Sequence, residues 1–290
     1  MDRSHLVRLI KAKKSFLCVG LDSDIEKIPV FLKKLEDPVF EFNKRIIDAT
    51  LPYAVAYKPN LAFYEAQGSK GIRTLEKTID YLNNLTERVF TIADAKRGDI
   101  GNSASYYAKA FFDVMSFDAL TVNPYMGFDS MEAYFKYPNK WTIVLALTSN
   151  TGSEDFQMLQ PQIPALLEKL GVKFCSGKRL FEFVMEKSLA WATNDQLMFV
   201  VGATQTDLMK TVREIAPDTF LLVPGVGAQG GSLEQVAEIG MNGDCGLLVN
   251  ASRSIIFASA DENFDKEAAR EAHSIQQQME AILRKNNLID

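Results

Sequence analysis

Eight short apolar runs recur along the 290 residues and constrain the fold more than any other feature of the sequence. Each run is nearly continuously apolar, as expected for a strand that is covered on both faces of a parallel sheet. The runs are Phe16–Leu21, Ala54–Lys58, Val89–Asp94, Ala119–Val122, Thr142–Leu147, Leu197–Val201, Thr219–Val223 and Gly246–Asn250. The sequence therefore predicts a buried parallel sheet.

Helical patterns separate the apolar runs. Asp37 followed by Pro38 is typical of an N-cap and a first helical residue. Further helices are predicted over Thr74–Leu85, Phe181–Trp191, Ser232–Ile239 and Asp261–Arg284. Strand–helix alternation repeated eight times is typical of a (β/α)8 TIM barrel of the α/β class. A doubly wound open sheet is the alternative, although such a sheet does not usually need eight strands of this regularity.

The chain is interpreted as one TIM-barrel domain over residues 1–290, because no change in composition and no Ser-, Pro- or Gly-rich linker divides it. One interval breaks the regular spacing. The segment Thr148 to Gln196, between the fifth and sixth runs, is roughly double the length of its neighbours. One barrel helix does not fill that length, so the sequence predicts a helical insertion or lid after strand five.

Composition excludes several classes of function. The chain has only two histidines, His5 and His273, and neither lies near an acidic or Gly-rich cluster, so we expect no His-ligated metal and no imidazole acid–base chemistry. A net charge of −5 argues against nucleic acid as a partner. Three dispersed cysteines do not make a disulfide framework. With no apolar leader or spanning segment, we expect a cytoplasmic protein with no membrane partner.

The densest group of charges follows the third apolar run. Asp94 and Lys96 are two residues apart, so on an extended segment their side chains point to the same side, and Asp99 comes shortly after. Lys58, at the end of the second run, adds another ammonium group. In a barrel the active residues lie at the carboxyl ends of the strands, where a fixed, protonated lysine can stabilise a carbanion and protonate it. A surface ion-pair cluster is the alternative.

A glycine-rich segment, residues 223–231, directly follows the seventh run and precedes a helix. Its backbone can approach an anion closely, and barrel enzymes often bind phosphate after strands seven and eight. Arg253, after the eighth run, adds a guanidinium group suited to phosphate. A tight strand–helix turn explains the glycines alone, but the two features together predict a phosphate site.

These motifs resemble the orotidine 5′-phosphate decarboxylase family, and specifically its longer bacterial branch (type 2). The resemblance covers nearly the full length, and D-x-K-x-x-D-I, residues 94–100, is the most specific element. The other matching segments are Val19-Gly20-Leu21-Asp22, Tyr57-Lys58-Pro59-Asn60, Pro224-Gly225-Val226-Gly227-Ala228-Gln229 and Arg253-Ser254-Ile255.

The resemblance implies a role for each matching residue. Lys96 would donate a proton to carbon 6 of the pyrimidine, Asp94 would lie against the substrate carboxylate, and Lys58 would hold Asp94 and a ribose hydroxyl. Asp99 and Ile100 would reach the partner's site in a homodimer. The remaining implied substrate-binding residues are Asp22 and Asn60 for the ribose and nucleotide, Ser149 for the pyrimidine, Gln229 and Arg253 for the phosphate, with Pro224, Ser103 and Ser252 beside them. Ser103 replaces a more usual threonine and Ser252 a frequent glycine.

The implied activity is decarboxylation of orotidine 5′-monophosphate (OMP) to uridine 5′-monophosphate (UMP) in de novo pyrimidine biosynthesis, with no cofactor and no metal. Two alternatives remain open from the sequence. A metal-dependent sugar-phosphate aldolase of the same barrel superfamily shares D-x-K-x-x-D, but it would need further metal ligands. A non-catalytic phosphosugar- or nucleotide-binding barrel would bind without turnover, but it gives no reason for the four charged residues Lys58, Asp94, Lys96 and Asp99.

Overall fold

Each of the eight apolar runs forms a parallel strand in the computed structural model, which describes residues 1–161, 177–226 and 231–290. The strands are β1 Leu17–Leu21, β2 Ala54–Pro59, β3 Phe90–Arg97, β4 Ala119–Val122, β5 Trp141–Leu147, β6 Leu197–Val201, β7 Phe220–Pro224 and β8 Leu247–Ala251. Neighbours in sequence are neighbours in the sheet, and β1 also pairs with β8. The predicted closed (β/α)8 barrel is therefore confirmed, and the open doubly wound sheet is excluded.

Helices connect the strands and cover the barrel. Within the described residues they are α1 Arg3–Lys13, α2 Pro38–Thr50, α3 Leu61–Glu65, α4 Gly68–Asn83, α5 Gly101–Lys109, α6 Glu132–Phe135, α7 Leu180–Trp191, α8 Thr206–Ile215, α9 Leu233–Gly240, α10 Arg253–Ile256 and α11 Phe264–Lys285. Shorter turns occupy Val30–Lys34, Pro124–Met126, Phe128–Ser130 and Thr151–Asp155 as 3-10 helix, and Ala110–Val114 as π-helix. None of these described helices is long and apolar enough to span a bilayer.

The predicted helix start at Asp37 is confirmed. The Asp37 carboxylate accepts a hydrogen bond from the backbone N–H of Phe40 at 3.3 Å, and Pro38 is the first residue of α2. Thr74 and Lys77 of α4 also donate to this carboxylate, at 2.8 and 3.0 Å. One capping residue thus starts α2 and joins it to α4.

A buried ion cluster closes the amino-terminal end of the barrel. Asp118, directly before β4, is 1% exposed, and its Oδ1 contacts the Met1 ammonium at 2.7 Å and Arg88 Nη2 at 2.8 Å. Its Oδ2 accepts from the backbone N–H and the hydroxyl of Thr91, at 3.0 and 3.1 Å. The indole of Trp141 donates to the Met1 carbonyl at 2.8 Å. Both Asp118 carboxylate oxygens are thus paired with donors of the same chain, as expected for a buried charge that stabilises the fold.

The segment between β5 and β6 contains the Thr151–Asp155 turn and α7. The predicted helical insertion falls partly on residues 162–176, which lie outside the described residues. The insertion after strand five therefore stays a prediction.

Candidate active site

The carboxyl ends of the strands surround a cavity of about 250 Å³. Strands β1, β2, β3, β7 and β8 and the loops after them supply its walls. Its lining residues are Asp22, Lys58, Asn60, Asp94, Lys96, Pro224, Gly225, Asn250, Ser252 and Arg253. The fold thus gathers most of the residues that the sequence singled out into one cavity, at the end of the barrel where catalytic groups are expected.

Asp94 lies between two lysines at the floor of this cavity. Its Oδ2 is 2.7 Å from Lys58 Nζ, and its Oδ1 is 2.5 Å from Lys96 Nζ. Burial would raise the pKa of Asp94, which is 9% exposed, but the two ammonium groups outweigh burial and hold the pKa at about 2. The carboxylate is therefore ionised at neutral pH, and it faces two fixed cations.

Lys58 also faces Asp22. Burial alone would lower the pKa of Lys58, which is 4% exposed, but the carboxylates of Asp94 and Asp22 keep its pKa above the ordinary value. Asp22 Oδ1 lies 4.0 Å from Lys58 Nζ and is buried, and none of the described residues donates a hydrogen bond to it. A buried carboxylate oxygen with unused acceptor capacity, at the wall of a cavity, suits a ligand hydroxyl.

The backbone at Lys96 differs from the extended segment that the sequence predicts. The side chains of Asp94 and Lys96 do meet, but regular extended geometry is not the reason. Lys96 has φ = 48°, in the left-handed region, and the pairing of β3 with β4 is irregular between Ala93 and Arg97. The pair forms because the strand bulges at the site, which re-aims the lysine.

A close contact between strand ends shapes the opposite wall. A Cβ atom on Gly20 would lie 1.7 Å from Ser252 Oγ, so only glycine allows Ser252 to occupy its position. Asn250 donates to Ser252 Oγ at 3.3 Å and lies 3.7 Å from Cys18 Sγ through its Oδ1. Ser252 directly precedes Arg253, the first residue of α10. This contact therefore helps to set where the Arg253 backbone leaves the barrel.

The rest of the predicted phosphate site lies only partly within the residues that the structure describes. Pro224 ends β7 and lines the cavity together with Gly225, whose φ of 97° suits glycine. Gln229, the other predicted phosphate ligand, falls within residues 227–230, outside the described part of the chain. Its role stays a prediction.

Four predicted residues lie away from the cavity walls of their own chain. Asp99 accepts a hydrogen bond from the backbone N–H of Ile100 at 2.8 Å, and the Ile100 side chain is 51% exposed. Ser103 is exposed on α5, and Ser149 follows β5 against Gly202. The predicted reach of Asp99 and Ile100 into a partner's site is not tested by a single chain.

Thr121 was not among the predicted site residues, and Gly20 and Asn250 were named only as members of a matching segment and of an apolar run, without a role of their own. Thr121 Oγ1 accepts from the Lys96 backbone N–H at 2.9 Å, and Asn250 and Gly20 form the contact with Ser252. A signal was present for two of them, because Thr121 and Asn250 are polar residues inside otherwise apolar runs. A buried polar side chain requires a partner, and such residues deserve a place in a site hypothesis.

No three His, Cys, Asp or Glu side chains are grouped to hold a metal ion within residues 1–161, 177–226 and 231–290. The carboxylate at the floor of the cavity has both oxygens in contact with lysine ammonium groups, which compete with a metal for the same positions. The arrangement can supply a fixed negative charge, two cations and a transferable proton.

Comparison with known proteins places the chain in a family. Residues 15–271 match the family model described as orotidine 5′-phosphate decarboxylase / HUMPS family. The chain is 54% identical over 289 residues to an orotidine 5′-phosphate decarboxylase of Porphyromonas gingivalis, with 100% of both chains covered. It is 53% identical over 283 residues to an orotidine 5′-phosphate decarboxylase of Phocaeicola vulgatus, covering 98% of this chain and 99% of that one. The structure of Leishmania donovani OMP decarboxylase matches with a TM-score of 0.75 and 34% identity, covering 96% of this chain and 99% of that one. The chain belongs to the orotidine 5′-phosphate decarboxylase / HUMPS family.

Proposed function

We propose that this chain catalyses the cofactor-independent decarboxylation of OMP to UMP, a step of pyrimidine biosynthesis. One observation carries the proposal: Asp94 is held between Lys58 and Lys96 at the floor of an open cavity, at 2.7 and 2.5 Å. The reaction needs a fixed cation and a proton beside the reacting carbon, and this group of three residues supplies both.

The chemistry follows from the charges. Loss of carbon dioxide breaks the bond from carbon 6 to the carboxylate and leaves the electron pair on carbon 6, which has no neighbouring group to delocalise it. The Lys96 ammonium stabilises that pair and then transfers a proton to it, after which solvent returns a proton to the lysine. Asp94 lies against the substrate carboxylate, so two like charges approach and the ground state is disfavoured. The half-exposed Lys96 side chain supports this role, because it is open to the cavity.

The nucleoside is proposed to lie along β1 and β2. Asp22 Oδ1 is buried and receives no hydrogen bond from the described part of the chain, so it is suited to accept from a ribose hydroxyl, and Lys58 is placed to donate to another. Asn60 caps α3 by accepting from the backbone N–H of Ala62 at 3.2 Å, which leaves its amide N–H groups for the nucleotide. Ser149, beyond β5, is proposed to contact the pyrimidine.

The phosphate is proposed to lie between the ends of β7 and β8. Arg253 lines the cavity and is exposed, and Pro224, Gly225 and Ser252 form the wall beside it. Gln229 is proposed as a second phosphate ligand on the resemblance alone. Binding energy from the phosphate is remote from carbon 6, and it can be used to close the site around the substrate.

We further propose a homodimer with shared sites. Asp99 and Ile100 follow the catalytic strand but do not line their own cavity, and Ser103 is exposed on the next helix. An isoleucine that is 51% exposed beside a charged residue suits burial against a second copy of the chain. In this arrangement each site receives Asp99 and Ile100 from its partner.

The cytoplasm is the proposed location, since the cysteines that the structure describes, Cys18 and Cys245, are free thiols.

Loss of OMP absorbance in the presence of purified, chelator-treated protein tests the activity. We expect UMP to form at the same rate before and after the chelator. Turnover that the chelator abolishes would support the metal-dependent aldolase class instead, and UMP binding without turnover would support the binding-protein alternative.

A mixture of two inactive variants tests the shared site. Lys96→Ala and Asp99→Ala subunits are each expected to be inactive as homodimers, whereas their heterodimer contains one intact site. Random mixing makes about half of the dimers heterodimers, and each heterodimer has one intact site out of two. About a quarter of the wild-type activity per subunit should therefore return. If heterodimers form and activity does not return, Asp99 does not act across the interface.

A further inference from the structure

The pairing of β3 with β4 is interrupted beside the catalytic residues. Ile92 and Ala93 pair with Ala119 and Leu120, and the pairing resumes only at Arg97, opposite Val122. Residues 94–96 of β3 therefore lie opposite a single residue of β4. That residue is Thr121, a threonine that is 1% exposed.

The Thr121 hydroxyl forms hydrogen bonds within the interrupted part of the β3–β4 pairing. It accepts from the Lys96 backbone N–H at 2.9 Å. The same hydroxyl lies 3.2 Å from Asp94 Oδ1 and 3.4 Å from the Ala93 carbonyl, so it can donate to either. Beyond it, the backbone N–H of Asn123 donates to the Arg97 carbonyl at 2.7 Å, and the ladder continues.

This hydroxyl touches both partners of the catalytic ion pair. Lys96 has φ = 48°, a conformation that costs free energy for any residue with a Cβ and persists only where its surroundings hold it. Asp94 Oδ1, the atom that lies 2.5 Å from Lys96 Nζ, is also the carboxylate oxygen that the hydroxyl approaches. One side chain on a neighbouring strand thus connects the backbone of the lysine to the carboxylate of the aspartate.

We propose that Thr121 is a positioning residue of the reaction: its hydroxyl holds the left-handed backbone at Lys96 and the orientation of the Asp94 carboxylate, and so sets the distance between the lysine ammonium group and the substrate. The inference rests on the proposed function. Thr121 does not line the cavity, so its effect on the substrate passes through Asp94 and Lys96.

Substitution of Thr121 separates its hydroxyl from its shape. Thr121→Val removes the hydroxyl and leaves the Lys96 N–H without an acceptor, so we expect kcat for OMP to fall about 10- to 100-fold, as small misplacements of catalytic groups do. KM and the affinity for UMP should change less than about threefold, because the groups proposed for ribose and phosphate lie on other strands. Thr121→Ser keeps the hydroxyl and should retain kcat within about threefold of wild type.

Thr142→Val is the matched control. Thr142 is a buried threonine of the neighbouring strand β5 and does not line the cavity, so the same change there should leave kcat unaltered. If valine at position 121 prevents folding, Thr121→Ala also removes the hydroxyl without crowding the barrel, and it should reproduce the fall in kcat.

Three results would overturn the inference. These are an unchanged kcat in both variants that lack the hydroxyl, an equal loss in Thr121→Ser, and a loss that appears in KM alone. A crystal structure of Thr121→Val gives a readout that does not depend on the substrate. We expect Lys96 to leave the left-handed region and Nζ to move away from Asp94 Oδ1, and an unmoved Lys96 would contradict the inference. Absence of OMP turnover by the wild-type protein would count against the proposed function instead, and the structural readout would still decide the role of Thr121.

Discussion

Asp94 and Asp118 lie at opposite ends of the barrel, and each contacts two cationic groups and one threonine. Asp118 is 1% exposed and contacts the Met1 ammonium, Arg88 and Thr91. Asp94 is 9% exposed and contacts Lys58, Lys96 and Thr121. The two clusters use the same kinds of group in nearly the same number.

The clusters differ in what remains available to a ligand. Around Asp118, both carboxylate oxygens accept from protein donors, and the Met1 ammonium is buried. Around Asp94, the Lys96 side chain is 51% exposed, and neighbouring Asp22 has a buried oxygen to which no group in residues 1–161, 177–226 or 231–290 donates. A carboxylate between two cations can therefore stabilise the fold or serve a reaction. Which of these it does depends on whether a cavity reaches its partners.

Removing the charge of each aspartate in turn tests whether the two clusters have different roles. Asp94→Asn should lower kcat/KM for OMP about 1000-fold, because it removes the fixed charge from the reacting site. Asp118→Asn should change kcat/KM less than about threefold at temperatures where the variant is folded. Steady-state OMP turnover measures both, with circular dichroism as the folding control. Equal losses of kcat/KM in the two variants would show that catalysis does not depend on Asp94 more than on Asp118.

The stability effects should fall mainly on the other cluster. Asp118→Asn leaves the buried Met1 ammonium without its counter-charge, so we expect the free energy of unfolding to fall by about 3 kcal/mol. Urea unfolding measures the change, and Asp195→Asn, at an exposed aspartate, is a control that should cost less than about 0.5 kcal/mol. A loss no larger than that of the control would mean that the cluster does not hold the amino-terminal end.

The Asp94 cluster predicts a pH dependence of stability. The pKa of Asp94 in the folded protein, about 2, lies below the ordinary value of 3.8. The contribution of Asp94 to the free energy of unfolding is therefore fully present above pH 3.8 and is lost as the pH falls through about 2. The contribution is roughly 2 kcal/mol, about half of it lost by pH 3. The difference in unfolding free energy between wild type and Asp94→Asn should therefore shrink from pH 5 to pH 3. A difference that does not change with pH would contradict the ion pairing.

The smallest expected effect concerns the wall of the cavity. Gly20→Ala places a Cβ atom against Ser252, which should displace Ser252 and the neighbouring phosphate site. We therefore expect the KM for OMP to rise about tenfold and the affinity for UMP to fall. Gly243→Ala is the matched control, because no atom of the described residues lies within 4 Å of a Cβ there. Uridine, which lacks the phosphate, should bind Gly20→Ala nearly as well as wild type. An equal loss of uridine affinity would show that Gly20 supports the whole site.

The barrel and the centre of the site were predictable from the sequence, because both depend on local pattern. Continuous apolar runs gave the eight strands to within a few residues, and the largest difference is β3, which ends at Arg97 and not at Asp94. Once the fold is a barrel, polar residues at strand ends must converge, which is why Lys58, Asp94 and Lys96 were found.

The details that depend on pairing between distant segments were not predictable. The bulge at Lys96 arises from a slip of register against β4, and Thr121 becomes important only because it stands opposite that slip. Gly20 is required by Ser252, which is more than two hundred residues away in sequence and adjacent only because β1 and β8 close the barrel. A single sequence carries no direct signal for such contacts.

The central claim is that Lys96, held by Asp94 at the open end of the barrel, carries the reaction. The most direct measurement is the release of labelled carbon dioxide from carboxyl-labelled OMP by wild type and Lys96→Ala. We expect one carbon dioxide per UMP from the wild-type protein and at least a 1000-fold slower release, on the order given by loss of a preorganised charge, from a folded Lys96→Ala that still binds UMP. Release at the wild-type rate from Lys96→Ala, or no release from the wild-type protein, would contradict the claim.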